Sequence, residues 1–253
     1  MKADDAFTPE YGRALGVLTP QANTTVEPEM QLLLEGSVLT ARLTSPLADS
    51  RARLIDYFDR LEDTVRRFDV APVAATGFAC TGSAYLVGAN EEARRIEAAS
   101  AAAGHPVLSA ASAIRAALVE LGARRIALLS PYPAWLSQAG QAYWLGAGLT
   151  LTAVAGLPAD LADTRGIYRL TTGRVAEILE RLDTTGADAI LLSGTGMPSL
   201  RSIARNARGL PMLSSNLCLA WAMTRAAGGP ADLAPWLAAD AQWRMRLAQR
   251  DAA

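Results

Sequence analysis

Apolar positions along this chain recur in two rhythms. Short continuous runs alternate with longer stretches in which apolar residues return every three or four positions. The first pattern belongs to strands buried on both faces, the second to helices packed against them. The runs Ala14–Thr19, Val38–Leu43, Val73–Ala79, Pro106–Leu108, Ile126–Ser130, Leu149–Ala155, Ala189–Ser193 and Pro211–Leu213 predict strands. Helices are predicted over Arg51–Phe68, Glu91–Ala103, Ala113–Leu121, Leu136–Ala147, Gly173–Leu182 and Leu217–Ala227. Alternation of this kind predicts an α/β fold with parallel sheets flanked by helices.

The pattern also repeats. Leu15-Gly-Val-Leu-Thr-Pro20 matches Ile126-Ala-Leu-Leu-Ser-Pro131, and Ala75-Thr-Gly-Phe-Ala-Cys-Thr-Gly82 matches Ala189-Ile-Leu-Leu-Ser-Gly-Thr-Gly196. Gly104-His-Pro-Val-Leu-Ser109 likewise matches Gly209-Leu-Pro-Met-Leu-Ser214. The three pairs keep the same order at a nearly constant offset of roughly 110 residues. The chain therefore reads as two similar lobes related by a pseudo-two-fold axis, residues 1–112 with 214–253 forming the first and 113–213 the second. All three motifs fall at strand ends, where open parallel sheets bind ligands, so the active site is expected in the cleft between the lobes.

Composition narrows the chemistry. With 24 basic and 25 acidic residues among 253, the net charge is near zero, which argues against nucleic acid as a partner. Lys2 is the only lysine, at the N-terminus, so Schiff-base chemistry has no well-placed amine. One histidine, His105, and two cysteines, Cys80 and Cys218, cannot make a His/Cys zinc site. No secretory signal precedes the cysteines, and both are expected as free thiols in a cytoplasmic protein. The run Val70–Asn90 carries no charge, but Pro72, Gly77, Gly82 and Gly88 make it a strand, a turn and a helix start rather than a membrane span.

Cys80-Thr81-Gly82 stands at a strand-to-helix turn, where backbone N–H groups converge and a helix N-terminus favours negative charge. Such a turn suits an anion and a reactive thiol; the residues alone equally allow a buried, inert cysteine. Gly194-Thr195-Gly196 forms the mirror loop, a second cradle without a thiol. Tyr132, after Ser130-Pro131, can reach a carboxylate or be an ordinary half-buried tyrosine. Asn23 suits ligand binding or a helix cap, and Arg42 a carboxylate partner or a solvated surface residue. Cys218 lies in an apolar helical stretch and is expected in the core, and His105 is expected to be structural. Leu43, Pro46, Tyr168 and Met197 are further candidates for the cleft wall that the sequence cannot place.

Gly16-Val-Leu-Thr-Pro-Gln-Ala-Asn-Thr-Thr-Val-Glu27, Ala79-Cys-Thr-Gly-Ser83, Ser193-Gly-Thr-Gly196 and Ser214-Ser-Asn216 together resemble the aspartate/glutamate racemase superfamily, in its branch of maleate cis-trans isomerases and arylmalonate decarboxylases. The resemblance implies two parallel-sheet lobes, no metal, no organic cofactor, self-association as a possible homo-oligomer, and cysteine chemistry at the alpha carbon of a small carboxylate. It implies Cys80 as the catalytic residue, with Asn23, Arg42, Thr81, Gly82, Tyr132, Gly194, Thr195 and Gly196 binding substrate. Racemases and isomerases of the superfamily carry a cysteine in both mirror loops; here Gly194 stands where the second would be. Arylmalonate decarboxylases have one cysteine and one glycine, with the cysteine in the second loop, the reverse of this chain.

Two opposed thiols are needed to remove a proton from one face and return it on the other, so racemisation is excluded. Decarboxylation of a 2-substituted malonate, with Cys80 protonating the enediolate, is the first expectation. Isomerisation of maleate with Cys80 as nucleophile is the alternative, and a carboxylate-binding protein without turnover the third. A cysteine placed at position 194 is expected to restore the opposed pair if the loops are true mirrors.

Overall fold

The computed structural model describes residues 12–156 and 163–252. Lys2 lies outside the described residues. The first half of the chain runs β1 (Ala14–Pro20), α1 (Val26–Leu33), β2 (Val38–Leu43), α2 (Ser50–Asp59), α3 (Leu61–Val65), β3 (Val73–Phe78), α4 (Thr81–Val87), α5 (Ala89–Ala103), β4 (Val107–Ser109) and α6 (Ala110–Glu120). The second runs β5 (Arg125–Ser130), α7 (Ala134–Gly146), β6 (Thr150–Gly156), a 3-10 turn (Thr164–Arg169), α8 (Thr172–Glu180), β7 (Ala189–Leu192), α9 (Leu200–Ala204) and β8 (Met212–Ser214). Helices α10 (Ser215–Ala226), α11 (Ala234–Leu237) and α12 (Gln242–Ala252) complete the described chain.

Two four-stranded parallel sheets result, in the orders β2-β1-β3-β4 and β6-β5-β7-β8. The orders are identical once β5 is set against β1, so the repeated motifs occupy equivalent strands. All residues of β1 and β7 are buried, as continuous apolar runs require when helices cover both faces of a sheet. Side chains such as Val17, Leu18, Phe78, Ile126 and Leu191 are almost fully buried, each contributing about 1.5–3 kcal/mol.

The Leu-Ser motif at the ends of β4 and β8 has a local cause. Ser109 accepts from the Ser112 N–H at 2.9 Å and Ser214 from the Leu217 N–H at 3.2 Å, so each serine ends a strand and caps the next helix. Helix α10 then returns to lie on the first sheet. A side chain at Gly77 would run into Met223, so this glycine permits the helix to approach β3 closely. The boundary expected at 112/113 falls inside α6.

The predicted helix Arg51–Phe68 is broken. Arg60 (φ −95°, ψ 7°) ends α2, and a second short helix resumes with Leu61, Thr64 and Val65 still facing inward. Periodicity cannot register a bend that keeps the same face buried. Helix α1 was not anticipated; its Pro28 sits in the first turn, where no intrahelical N–H bond is lost. Among the described residues, no helix is long and apolar enough to cross a membrane.

Candidate active site

In each sheet the chain leaves the first strand for one neighbour and returns on the other side, so strand order reverses between β1 and β3, and again between β5 and β7. The carboxyl ends beside such a reversal leave a crevice. Here the loops after β1 and β3 face those after β5 and β7 across one narrow cleft, whose cavity volume is about 20 Å3. Cys80, Gly82, Tyr132, Thr195 and Gly196 line it together with Pro20 and Leu54.

Cys80 occupies the N-cap position of α4 and is only 4% exposed. Its Sγ lies 3.1 Å from the Ser83 hydroxyl oxygen, and that hydroxyl donates to the Leu54 carbonyl at 2.7 Å. Burial pushes the thiol above its ordinary value, while the Ser83 hydroxyl and the Ser83 and Gly82 amides pull the other way. Thr81 is buried and its hydroxyl meets that of Tyr132 at 2.6 Å, joining the first loop to the second lobe. The Tyr132 phenol is raised by burial, with Tyr85 and Cys80 adding to the effect.

The second loop is held almost entirely by the first lobe and α10. The Gly194 N–H donates to Ser215 at 2.9 Å, and the Thr195 hydroxyl donates to the Ala79 carbonyl at 2.8 Å. Asn23 donates to the Thr195 hydroxyl oxygen at 3.4 Å while its side-chain carbonyl accepts from the Thr25 and Val26 amides, so it ties the entry to α1 to the second loop, although Thr25 and not Asn23 is the N-cap. Thr25 reaches the Gly196 carbonyl at 2.9 Å. Buried Glu29 collects the Ser199 and Leu200 amides, the Ser199 hydroxyl and the Asn216 amide; burial nevertheless raises its carboxyl. Asn216 also donates to the Thr195 carbonyl at 3.0 Å.

These bonds correct two expectations about donors. The Gly194 N–H and the Thr195 hydroxyl are committed to protein acceptors, whereas among the described residues the Thr195 and Gly196 N–H groups have no protein acceptor. Arg42 does not line the cleft. Its guanidinium is paired with Glu27 and donates to the Gln21 and Asn23 carbonyls at 3.2 and 3.0 Å, with its side chain 38% exposed. Arg42 therefore fixes the loop that carries Asn23.

Gly194 carries more than the absence of a thiol. Its φ of +143° disfavours any side chain, and a Cβ there would lie 2.7 Å from Cγ of Pro131. A cysteine at 194 is strained as the loop stands, against the expectation that it would simply restore a pair. At Gly196 a Cβ would meet the Tyr168 ring at 2.6 Å.

Sequence reasoning missed one wall of the cleft. Arg53 is 1% exposed and spans the lobes, donating to Asp163 at 2.7 Å and to the Ala48 carbonyl at 2.9 Å. Tyr57, from the same helix, and Arg165, Ile167 and Tyr168, from the 3-10 turn, complete that wall. The one available signal was an arginine on the buried face of α2, beside Leu54 and Tyr57. Of the four unplaced candidates only Tyr168 lines the cleft; Leu43 and Met197 are core residues. His105 bonds to Thr76 at 2.7 Å, and Cys218 is fully buried in α10. No group of three or more His, Cys, Asp or Glu residues among those described is placed to hold a metal ion.

Two like α/β lobes clasping one buried thiol between mirror loops define a class, the two-lobed cleft enzymes built by duplication of one parallel-sheet unit. Within it, the chain belongs to the arylmalonate decarboxylase family, whose sequence model matches residues 15–235. It is 29% identical over 219 residues to the maleate isomerase of Geobacillus stearothermophilus, covering 79% of this chain and 86% of that one. The structure resembles a Nocardia farcinica maleate cis-trans isomerase variant, one cysteine changed to serine, that carries a covalently bound succinylcysteine intermediate. That likeness has a TM-score of 0.76 and 25% identity, covering 86% of this chain and 94% of the other. It also resembles, with a TM-score of 0.75 and 24% identity, a liganded arylmalonate decarboxylase variant in which a glycine is cysteine and a cysteine serine; 87% of this chain and 94% of that chain are covered.

Proposed function

We propose that this chain is a cofactor-independent decarboxylase of a 2-substituted malonate, with Cys80 delivering a proton to one face of the enediolate. The observation that carries this reading is the pairing of a buried thiol, Cys80, with a bare glycine, Gly194, in the mirror loop across the cleft. A thiol raised above its ordinary value of 9.0 remains an acid at neutral pH, which suits proton donation better than nucleophilic attack. One carboxylate of the substrate is received by the free N–H groups of Thr195 and Gly196 and by Tyr132, donors aimed at a developing enediolate. The other lies against the apolar surfaces of Pro20, Leu54 and Ile167, where its charge is poorly solvated and loss of carbon dioxide relieves the cost.

Isomerisation of maleate through a Cys80 adduct is the second reading. It is favoured by the identity to maleate isomerases and by the capture of a succinylcysteine in an isomerase variant with one cysteine replaced. Incubation with phenylmalonate and with maleate, following carbon dioxide, monoacid and fumarate, separates the two. The pH dependence separates them again by sign. A thiol acting as acid must be protonated, so kcat stays level through neutral pH and falls as pH rises through the raised Cys80 value; a thiolate nucleophile gives a rate that climbs over the same range.

A further inference from the structure

Cys80 must pass through a thiolate in a site that offers little help for one. Among the groups facing it, Tyr57 and Arg53 come from α2, Tyr132 from the turn after β5, and Tyr168 and Arg165 from the 3-10 turn. Arg53 is already engaged by Asp163, Ser50 and the Ala48 carbonyl. Three phenols, the committed Arg53 guanidinium and Arg165 face the sulfur, and the hydrogen-bond partner of the sulfur itself is Ser83.

Ser83 stands one helical turn beyond Cys80, on the same side of α4. It has one hydroxyl proton, and that proton goes to the Leu54 carbonyl at 2.7 Å. The serine oxygen is then the acceptor for the thiol proton across 3.1 Å. The resting arrangement is a chain, from the thiol to Ser83 to Leu54. Leu54 lies inside α2, so its carbonyl keeps a helical partner if the serine turns away.

We propose that Ser83 is the positioning residue that carries Cys80 between its two protonation states, holding the S–H at rest and turning its own O–H from Leu54 to the sulfur once the proton has left. During that step the S–H bonding pair stays on sulfur and the carbanion pair of the enediolate forms the new C–H bond. The serine proton remains on its oxygen throughout, and water returns a proton to the thiolate afterwards. The mirror loop lacks the whole device: Met197 stands where Ser83 would be, as Gly194 stands for Cys80. This inference rests on the proposed decarboxylation, in which Cys80 is the proton donor.

The test is alkylation of Cys80 by iodoacetamide across a pH series, read on its own peptide by mass spectrometry, in native protein, Ser83→Ala and Ser83→Thr. Ser83→Ala is expected to raise the Cys80 midpoint by about 1–2 pH units and to lower kcat roughly tenfold with KM within about twofold. Ser83→Thr, which keeps the hydroxyl, is expected to hold the native midpoint. An unchanged midpoint in folded Ser83→Ala overturns the proposal. Should Ser83→Ala not fold, Ser83→Thr decides: a midpoint displaced from the native one in a folded variant that keeps the hydroxyl overturns the proposal. Absence of turnover on phenylmalonate and maleate would instead sink the functional reading while leaving these midpoints as they are.

Discussion

Residues 80–83 and 194–197 are two solutions on one backbone plan. Each loop follows the third strand of its sheet, each carries Thr-Gly after its first residue, and each faces the same cleft. The first holds a thiol and a hydroxyl that answers it; the second holds a glycine at φ +143° and a methionine. The second loop has a different task. Its hydroxyl and its first amide are spent on Ala79 and Ser215, and its next two amides have no protein acceptor among the described residues. On the proposed reading, the first of these two half-sites supplies the chemistry and the second receives the substrate.

The largest effect should follow from removing the chemical half. Cys80→Ala is expected to lower kcat by about 10³-fold while a substituted malonate still binds, as measured by steady-state rates and calorimetric titration. Full turnover in that variant would erase the distinction between the loops. A smaller effect is expected from forcing the loops to match. Gly194→Cys should lower Tm by roughly 5–10 °C, because a side chain at this φ is strained and its Cβ crowds Pro131. It should not exchange the alpha hydrogen of 2-arylpropionates with deuterium unless Pro131 is also reduced in size; exchange by the single variant would show the loops to be closer mirrors than the structure indicates. The smallest effect belongs to the thiol outside the pair. Cys218→Ala should leave rates within about twofold and cost about 1 kcal/mol, measured by denaturant unfolding, since only core packing is lost.

Much of this was legible in the sequence because it was repeated there. The repeat located both cradle loops, exposed Gly194 opposite Cys80, and announced two sheets of like order. What escaped depends on residues far apart in the chain. Arg53 meets Asp163 only because α2 and the 3-10 turn cross the cleft from opposite lobes, and no spacing in either segment marks that meeting. Arg42 was legible as a cation at a strand end but not as the partner of Glu27, which a helix unseen in the pattern brings beside it. Ser83 was visible within its motif, yet its role needs the Leu54 carbonyl from another helix. Local chemistry could be read; chemistry assembled across elements could not.

A thiol that serves one face only fixes the configuration of the product. Decarboxylation of prochiral 2-methyl-2-phenylmalonate in deuterated water should give a single enantiomer of 2-phenylpropionate, deuterated once at the alpha carbon and stable to further exchange. Racemic product, or continued exchange of the isolated product with the enzyme, would contradict one-sided protonation by Cys80.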